Sequence, residues 1–403
     1  MTAPSPVADV SPTGKYLDFS LVRGGPFFLL MRRLRLTDDA MAWLPRRIVV
    51  IGLLTWVPLL LLSALDGKLF GGASAMPFFY DVETHARYLV ALPLFMVAEL
   101  MVHRRLRDLP QEFLERDLIP GDARAHFDEA LASACRLRDS GLAEALLLAL
   151  IYCVGILVVW RQYVAPESLT WYATPGADGS SLTLAGMWLV YVSLPFFRFL
   201  MLRWQYRLLI WMRFIWQVSR IRLHLVPTHP DGMGGLGFLP SKMRAFVLLV
   251  MGFGAMLSGQ IAVRIFYAGA QLPDYKVEIL LLVVFFLVEL FGPMLFFSVL
   301  LEAVQRRGGR EYGTLAQRYV REFDAKWLRG DAPPNEPLLG SADIQSLADM
   351  GNSFGVVREM SFIPFKKEGV LLIVVATLLP IAPLLLTMMP LAELTRKFIG
   401  IFL

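Results

Sequence analysis

The chain has 403 residues, 56% of them hydrophobic and only 18% charged, with a mean hydropathy of +0.55; a water-soluble protein of this length needs more charge to cover its surface, so the composition is that of a membrane chain. The net charge of +5 comes without zinc spacing, a recognition-helix pattern or an aromatic-interleaved RNA motif, which argues against nucleic acid and for topogenic charge beside membrane spans. Cys135 and Cys153 form no CxxC and join no histidine cluster, so both read as small apolar residues rather than as a disulfide or a metal site.

The fold class expected is all-α, a polytopic helical membrane protein. Residues 1–47 read as a cytoplasmic tail, within which the run from Pro26 to Leu36, carrying Arg32, Arg33 and Arg35, reads as an interfacial helix. Polar and mixed residues precede the first apolar cluster, so no cleavable signal is expected. Lipid offers nothing to a bare N–H or C=O, so a crossing takes roughly 20 apolar residues in helical form. Seven stretches qualify: Ile48 to Ala64, Tyr88 to Val102, Leu142 to Trp160, Leu182 to Leu202, Ala245 to Tyr267, Val277 to Leu301, and Val370 to Met389. Six of them fall in 48–301, separated by polar loops at 103–141 and 203–244, and the seventh opens the segment 370–403. Pro380, Pro383 and Pro390 interrupt that last stretch, which leaves a re-entrant hairpin as the alternative to a full span.

Charge orients this layout. The N-terminal tail, the two polar loops and the segment 302–369 together hold 31 of the 39 Lys and Arg residues. Positive charge is retained on the cytoplasmic side, so the N-terminus is expected there, in a multi-pass protein of the bacterial inner membrane.

Several polar segments still carry helical periodicity. In the first loop Asp122 is placed to cap a helix with Phe127, Leu131 and Cys135 on one face. Span four is expected to continue through Trp204, Leu208, Trp211, Ile215 and Val218, either as a rigid extension or as an interfacial helix. In 302–369, Leu315, Tyr319, Phe323 and Trp327 make Tyr312 to Leu328 amphipathic. After a Pro-rich break, Ser341 is placed to cap a short helix ending near Gly351.

Two features carry candidate chemistry. The loop from Pro227 to Gly237 holds His229 and Asp231 beside Gly232, Gly234, Gly235 and Gly237. Glycines at this density let backbone N–H groups converge on an anion such as a lipid headgroup; the plainer reading is a demanding turn between helices, capped by Asp231. The loop fits neither GxGxxG nor GxxxxGK[ST]. In span six, Glu289 stands near the middle of the predicted crossing, where an unpaired charge costs about 3 kcal/mol or more. It suits a proton-coupled or cation-coordinating role, with Gly292-Pro293 able to open the helix beside it, or a hydrogen bond to a neighbouring helix. Gln260 and Arg264, one turn apart on span five, complete the transport set, and Arg264 with Glu278 and Glu99 with Arg198 are the expected intramembrane pairs.

No HxxxH, HExxH, GxSxG or SxxK arrangement is present, so neither an enzyme nor a metal or other cofactor is indicated. The functions that fit are movement of an ion or small solute through a channel or transporter and, as alternative, a membrane scaffold or sensor whose basic cytoplasmic portion binds partner proteins or anionic lipid. A lipid-processing enzyme using His229 and Asp231 ranks third. The expected partner is the bilayer, with anionic headgroups on the cytoplasmic face, and a homo-oligomer is compatible with the pattern.

Overall fold

The computed structural model describes residues 19–38, 43–71, 76–163, 170–176, 179–334 and 336–388, with side chains excepted at 154–163 and at 175, 176, 179 and 180. It is all-α, 75% helical. In chain order the elements are α1 (Pro26–Arg33), α2 (Leu44–Leu65), α3 (Val82–Glu115), α4 (Arg124–Arg138), α5 (Gly141–Tyr163), α6 (Leu184–Ser219), α7 (Leu239–Ala268), α8 (Leu272–Leu328), α9 (Ala342–Glu359) and α10 (Lys367–Leu378). Between α5 and α6 lies one antiparallel hairpin, β1 (Ala173–Gly176) and β2 (Gly179–Leu182), with Thr174 opposite Ser181.

Five helices, α2, α3, α6, α7 and α8, are long and apolar enough to cross a membrane, where the sequence predicted seven spans. The predicted third span falls on α5, whose described apolar part is Gly141–Cys153. The predicted seventh is no long helix, because α10 stops after 12 residues at Leu378 and is followed by a 3-10 segment, Ala382–Thr387. Pro380 and Pro383 have no N–H for the helical ladder, and their rings crowd the preceding turn. This broken segment runs antiparallel to α8. Its start packs at Phe291, where Phe365 stacks at 5.1 Å, and Ile381 and Leu384 share a core with Leu272.

Proline also shapes the long helices. Both α3 and α6 contain a π-helical turn, Ala86–Ala91 and Leu189–Ser193, and in each a Leu-Pro pair follows at once. In α8 the 3-10 segment Gly292–Phe297 surrounds Pro293. A missing N–H loosens the ladder, and the widened or tightened turn takes up the change of register.

The main core runs between α3, α6 and α7, where Phe95 meets Phe197 and Phe253 at ring distances of 5.8 and 5.1 Å. Gly252 permits the close approach of α3, since a Cβ there would meet the Phe95 ring at 2.5 Å, and Gly254 that of α10, where a Cβ would meet the Thr377 carbonyl at 2.2 Å. On α6 the stripe Trp204, Leu208, Trp211, Ile215 and Val218 is buried in protein, so the helix is a rigid extension rather than a strip lying on lipid. In α4, Phe127 and Leu131 are buried as their spacing requires, but Asp122 sits in a preceding 3-10 turn and Ala123 takes the cap position. Helix α9 begins after Ser341 as expected, yet runs on past Gly351 to Glu359.

Candidate functional site

At one end of the bundle four helices and the segment before α1 meet in a tier of buried charge. Glu99, on α3, is 2.6 Å from Arg47 in the first turn of α2, 2.6 Å from Arg207 on α6 and 3.4 Å from Arg203. Arg203 turns its Nε to Glu144, in the first turn of α5, at 2.9 Å. Each of these side chains is at most 8% exposed. Three guanidinium groups against two carboxylates leave an excess of positive charge in a dry site, which is costly unless oriented dipoles meet it. Backbone carbonyls do so: Met96 accepts from Arg47 at 3.2 Å, Gly24 from Arg203 at 3.0 Å and Val22 from Arg207 at 3.0 Å. The Arg203 guanidinium also lies 4.9 Å from the centre of the Phe27 ring.

These bonds turn residues 19–25 into a strap across the tier. Phe19, Ser20, Leu21 and Val22 are buried. The Ser20 hydroxyl is 3.0 Å from His103 Nδ1, and its carbonyl accepts from Arg138 at 2.7 Å. Glu144 also accepts from the Phe27 N–H at 2.7 Å. Gly25 makes the passage at a positive φ of 83°, and a Cβ there would come within 2.6 Å of Glu144 Oε1. Every carboxylate of the tier is committed to arginine or backbone, so the arrangement fastens helices together and exposes no reactive group.

The opposite end is closed by a smaller polar cluster, in which Arg87 pairs with Glu83. Asp81 caps α3 through the Thr84 N–H at 3.1 Å and accepts from the Trp171 indole at 2.9 Å. The Trp56 indole donates to His85 Nδ1 at 3.2 Å. An indole N–H only donates, so the imidazole proton sits on Nε2, 3.0 Å from the Phe79 carbonyl that accepts it.

The residues singled out in the sequence are spread over several places. Glu99 belongs to the tier with Arg203 and Arg207, five and nine positions beyond Arg198 on the same helix. Arg264 lies against the Tyr275 ring, its guanidinium 5.8 Å from the centroid; among the described residues it forms no ion pair, and neither does Glu278. Glu289 is half-buried and meets Gln205 of α6, whose side-chain amide, turned with its NH2 toward the carboxylate, donates to both oxygens. Gln260 and Arg264 stand far from it. Phe253 and Phe286 are level, with rings 5.0 Å apart; Gln260 is seven residues beyond Phe253 toward one end and Glu289 three beyond Phe286 toward the other, an axial separation of about 15 Å.

In the glycine loop the converging amides meet the loop's own anion. Asp231 accepts from the N–H groups of Met233 at 2.8 Å, Gly235 at 3.2 Å and Gly237 at 2.8 Å. His229 Nδ1 is 2.9 Å from the same carboxylate. Partial burial pushes the Asp231 carboxyl up, but the three backbone donors and the neighbouring His229 together outweigh it and hold the group below its ordinary range. Gly232 and Gly234 take positive φ values of 67° and 63° to make the turn. Its outer side packs on the protein: the Gly232 carbonyl accepts from the Ser361 N–H at 2.8 Å, and Gly308 of α8 lies where a Cβ would be 2.5 Å from Pro227.

Arg47, Glu144, Arg203 and Arg207 are the buried charged residues of the tier that span counting passes over. A signal was present, since Arg203 and Arg207 stand one helical turn apart on the buried stripe of the extended span four. Among the described residues no group of three or more His, Cys, Asp and Glu side chains is placed to hold a metal ion. No protein-family model matches the chain, and comparison with curated proteins and with solved structures gave no match.

Proposed function

We propose that this multi-pass membrane protein is a scaffold whose charged end faces the cytoplasm of a bacterial cell and carries a stiff arm for a soluble partner. One observation carries the reading. Helix α8 runs 57 residues from Leu272 to Leu328, whereas a bilayer core takes about 20, so more than 30 residues, or roughly 45 Å, project beyond it. The projecting half packs on α9. Asp343 accepts from Lys326 at 2.8 Å and from the Trp327 indole at 2.9 Å, and Tyr319 donates to the Asp343 carbonyl at 3.0 Å.

The arm buries little of its own surface, with Leu315, Val320, Leu328 and Ile344 exposed, as suits a surface that meets another protein. The glycine loop serves as its joint to the bundle, through Gly232 and Pro227 on one side and Gln305, which donates to the Met360 carbonyl at 2.8 Å, on the other. The excess of arginine at this end supports both the cytoplasmic orientation and contact with anionic headgroups.

A photo-crosslinking residue at Leu315, Leu328 or Ile344, tested in native membranes against one at Leu65, checks the reading. Discrete protein adducts at the arm positions alone are expected. A folded protein with no adduct above the Leu65 control would end it. Glu289 favours a second reading, transport, because its carboxylate has an amide for a partner and forms no ion pair among the described residues.

A further inference from the structure

Beside the charged tier, on the lipid side of the bundle, a crevice of about 670 Å³ opens between α2, α5 and α6 under the roof of α1. That volume lies within the roughly 300–1,000 Å³ typical of small-molecule sites. From α1 come Phe27 and Leu30, with Leu34 just after it; the floor reaches Leu148 and Tyr152 on α5 and Tyr191 on α6. Tyr152 is eight residues beyond Glu144 and Tyr191 twelve before Arg203, so the crevice descends about 12–18 Å from the tier into the apolar slab. Its lining is apolar except for the hydroxyls of Tyr152 and Tyr191 and for Glu144, whose carboxylate is already held by Arg203 and the Phe27 amide. A mostly apolar slot of that depth fits a hydrocarbon chain.

Arg33 and Arg35 stand on either side of Leu34, which lines the crevice, and select the head. Leu29 and Leu30 on helix α1 and Leu34 just after it are exposed next to the exposed Arg33 and Arg35, and Arg46 is exposed at the start of α2. Leucines beside arginines on a short helix are the pattern of one lying in the headgroup plane. Arg35 adds a second mark. It closes α1 with φ at +54°, and the Leu36 N–H reaches back to the Met31 carbonyl at 2.9 Å. This left-handed position is one where glycine is favoured.

We propose that the crevice seats an anionic phospholipid of the charged-end leaflet, one acyl chain between α5 and α6 and the phosphate against Arg33, Arg35 and Arg46. The proposal needs α1 to lie at the membrane surface, and it does not depend on the arm having a partner.

The test is native mass spectrometry of the detergent-purified full chain with phosphatidylglycerol and phosphatidylcholine of equal chain length. Preferential retention of phosphatidylglycerol is expected. Removing an arginine should reduce that preference about fivefold, at about 1 kcal/mol per basic side chain beside an anionic surface. Arg33→Gln and Arg35→Gly therefore weaken phosphatidylglycerol and spare phosphatidylcholine, while Leu148→Trp, which fills the slot, weakens both. Arg35→Gly relieves the positive φ and so guards against misfolding as the cause, even if Leu148→Trp does not fold. Equal retention of the two lipids by the wild type, a free fatty acid as the only bound species, or undiminished preference in both arginine variants would overturn the assignment. If the crosslinks at the arm are absent while the lipid preference stands, the scaffold reading alone falls.

Discussion

Two regions of this molecule are tied by arginine and carboxylate, and they use the same chemistry to different ends. In the tier the pairs are at most 8% exposed and every acceptor is committed. Along the arm the pairs Arg306 with Glu302, Arg307 with Glu311 and Arg318 with Glu322 are 48–78% exposed, each within one helical turn. Water screens the second set, so each pair is worth a few tenths of a kcal/mol. Desolvation governs the first: the net value of the intact cluster is modest, but removing a single member strands the others in a dry site. The tier is therefore brittle and the arm tolerant, which suits a rigid anchor carrying an adaptable surface.

The largest effect should come from Glu99→Ala, which leaves three guanidinium groups facing one another. A loss of about 3–5 kcal/mol is expected, read as reduced yield and a lower melting temperature in detergent. Arg207→Met in the same background should recover part of it; strict additivity of the two changes would show that they do not interact. Next comes Gly25→Ala, which puts a Cβ into the Glu144 carboxylate at a positive φ and should cost about 1–3 kcal/mol, with proteolysis before α1 as the sensitive readout. A melting temperature equal to the wild type would mean that the strap contributes nothing.

Asp231→Asn ranks third, at about 1–2 kcal/mol, since the charged acceptor of three backbone bonds becomes neutral. Its pH dependence has a definite sign. The folded carboxyl sits below its unfolded value of about 3.9, so its contribution is complete above that value and is lost as pH falls through the folded one. Melting curves between pH 6 and pH 3 should therefore fall more steeply for the wild type than for Asp231→Asn, and parallel curves would contradict the assignment. The smallest effect, below about 0.5 kcal/mol, is expected for Arg318→Ala on the arm. A loss comparable to that of Gly25→Ala would mean that the exposed pairs are covered by a partner or a second copy.

Much of the bundle was legible because lipid forces a crude rule on sequence: long apolar runs become helices, and the five helices long and apolar enough to cross a membrane contain, to within two residues, the apolar stretches predicted for them. The extents were not legible. Helix α8 absorbs the amphipathic segment Tyr312 to Leu328, because polar residues after a span can simply prolong it, and the helix runs unbroken through the polar stretch from Gln305 to Glu311 despite Gly308 and Gly309. The predicted seventh span failed as a continuous helix at Pro380 and Pro383, where a missing N–H overrides an apolar run. Glu99 was recognisable as a buried charge, yet its partners were not. Depth alone pointed to Arg198, whereas which helix face meets α3 is settled by packing, and that brings Arg203 and Arg207 to the carboxylate. The glycine loop was legible as a nest, but not that its own Asp231 fills it.

Glu289 decides most directly between an anchor with an arm and a path through the membrane. The measurement is proton and monovalent-cation flux into liposomes holding the purified protein under an imposed gradient, comparing wild type with Glu289→Gln. The scaffold account predicts no flux above protein-free liposomes for either, with equal melting temperatures because the amide replaces the carboxylate beside Gln205. Flux in the wild type that is lost in Glu289→Gln would contradict it and make transport the function of the bundle.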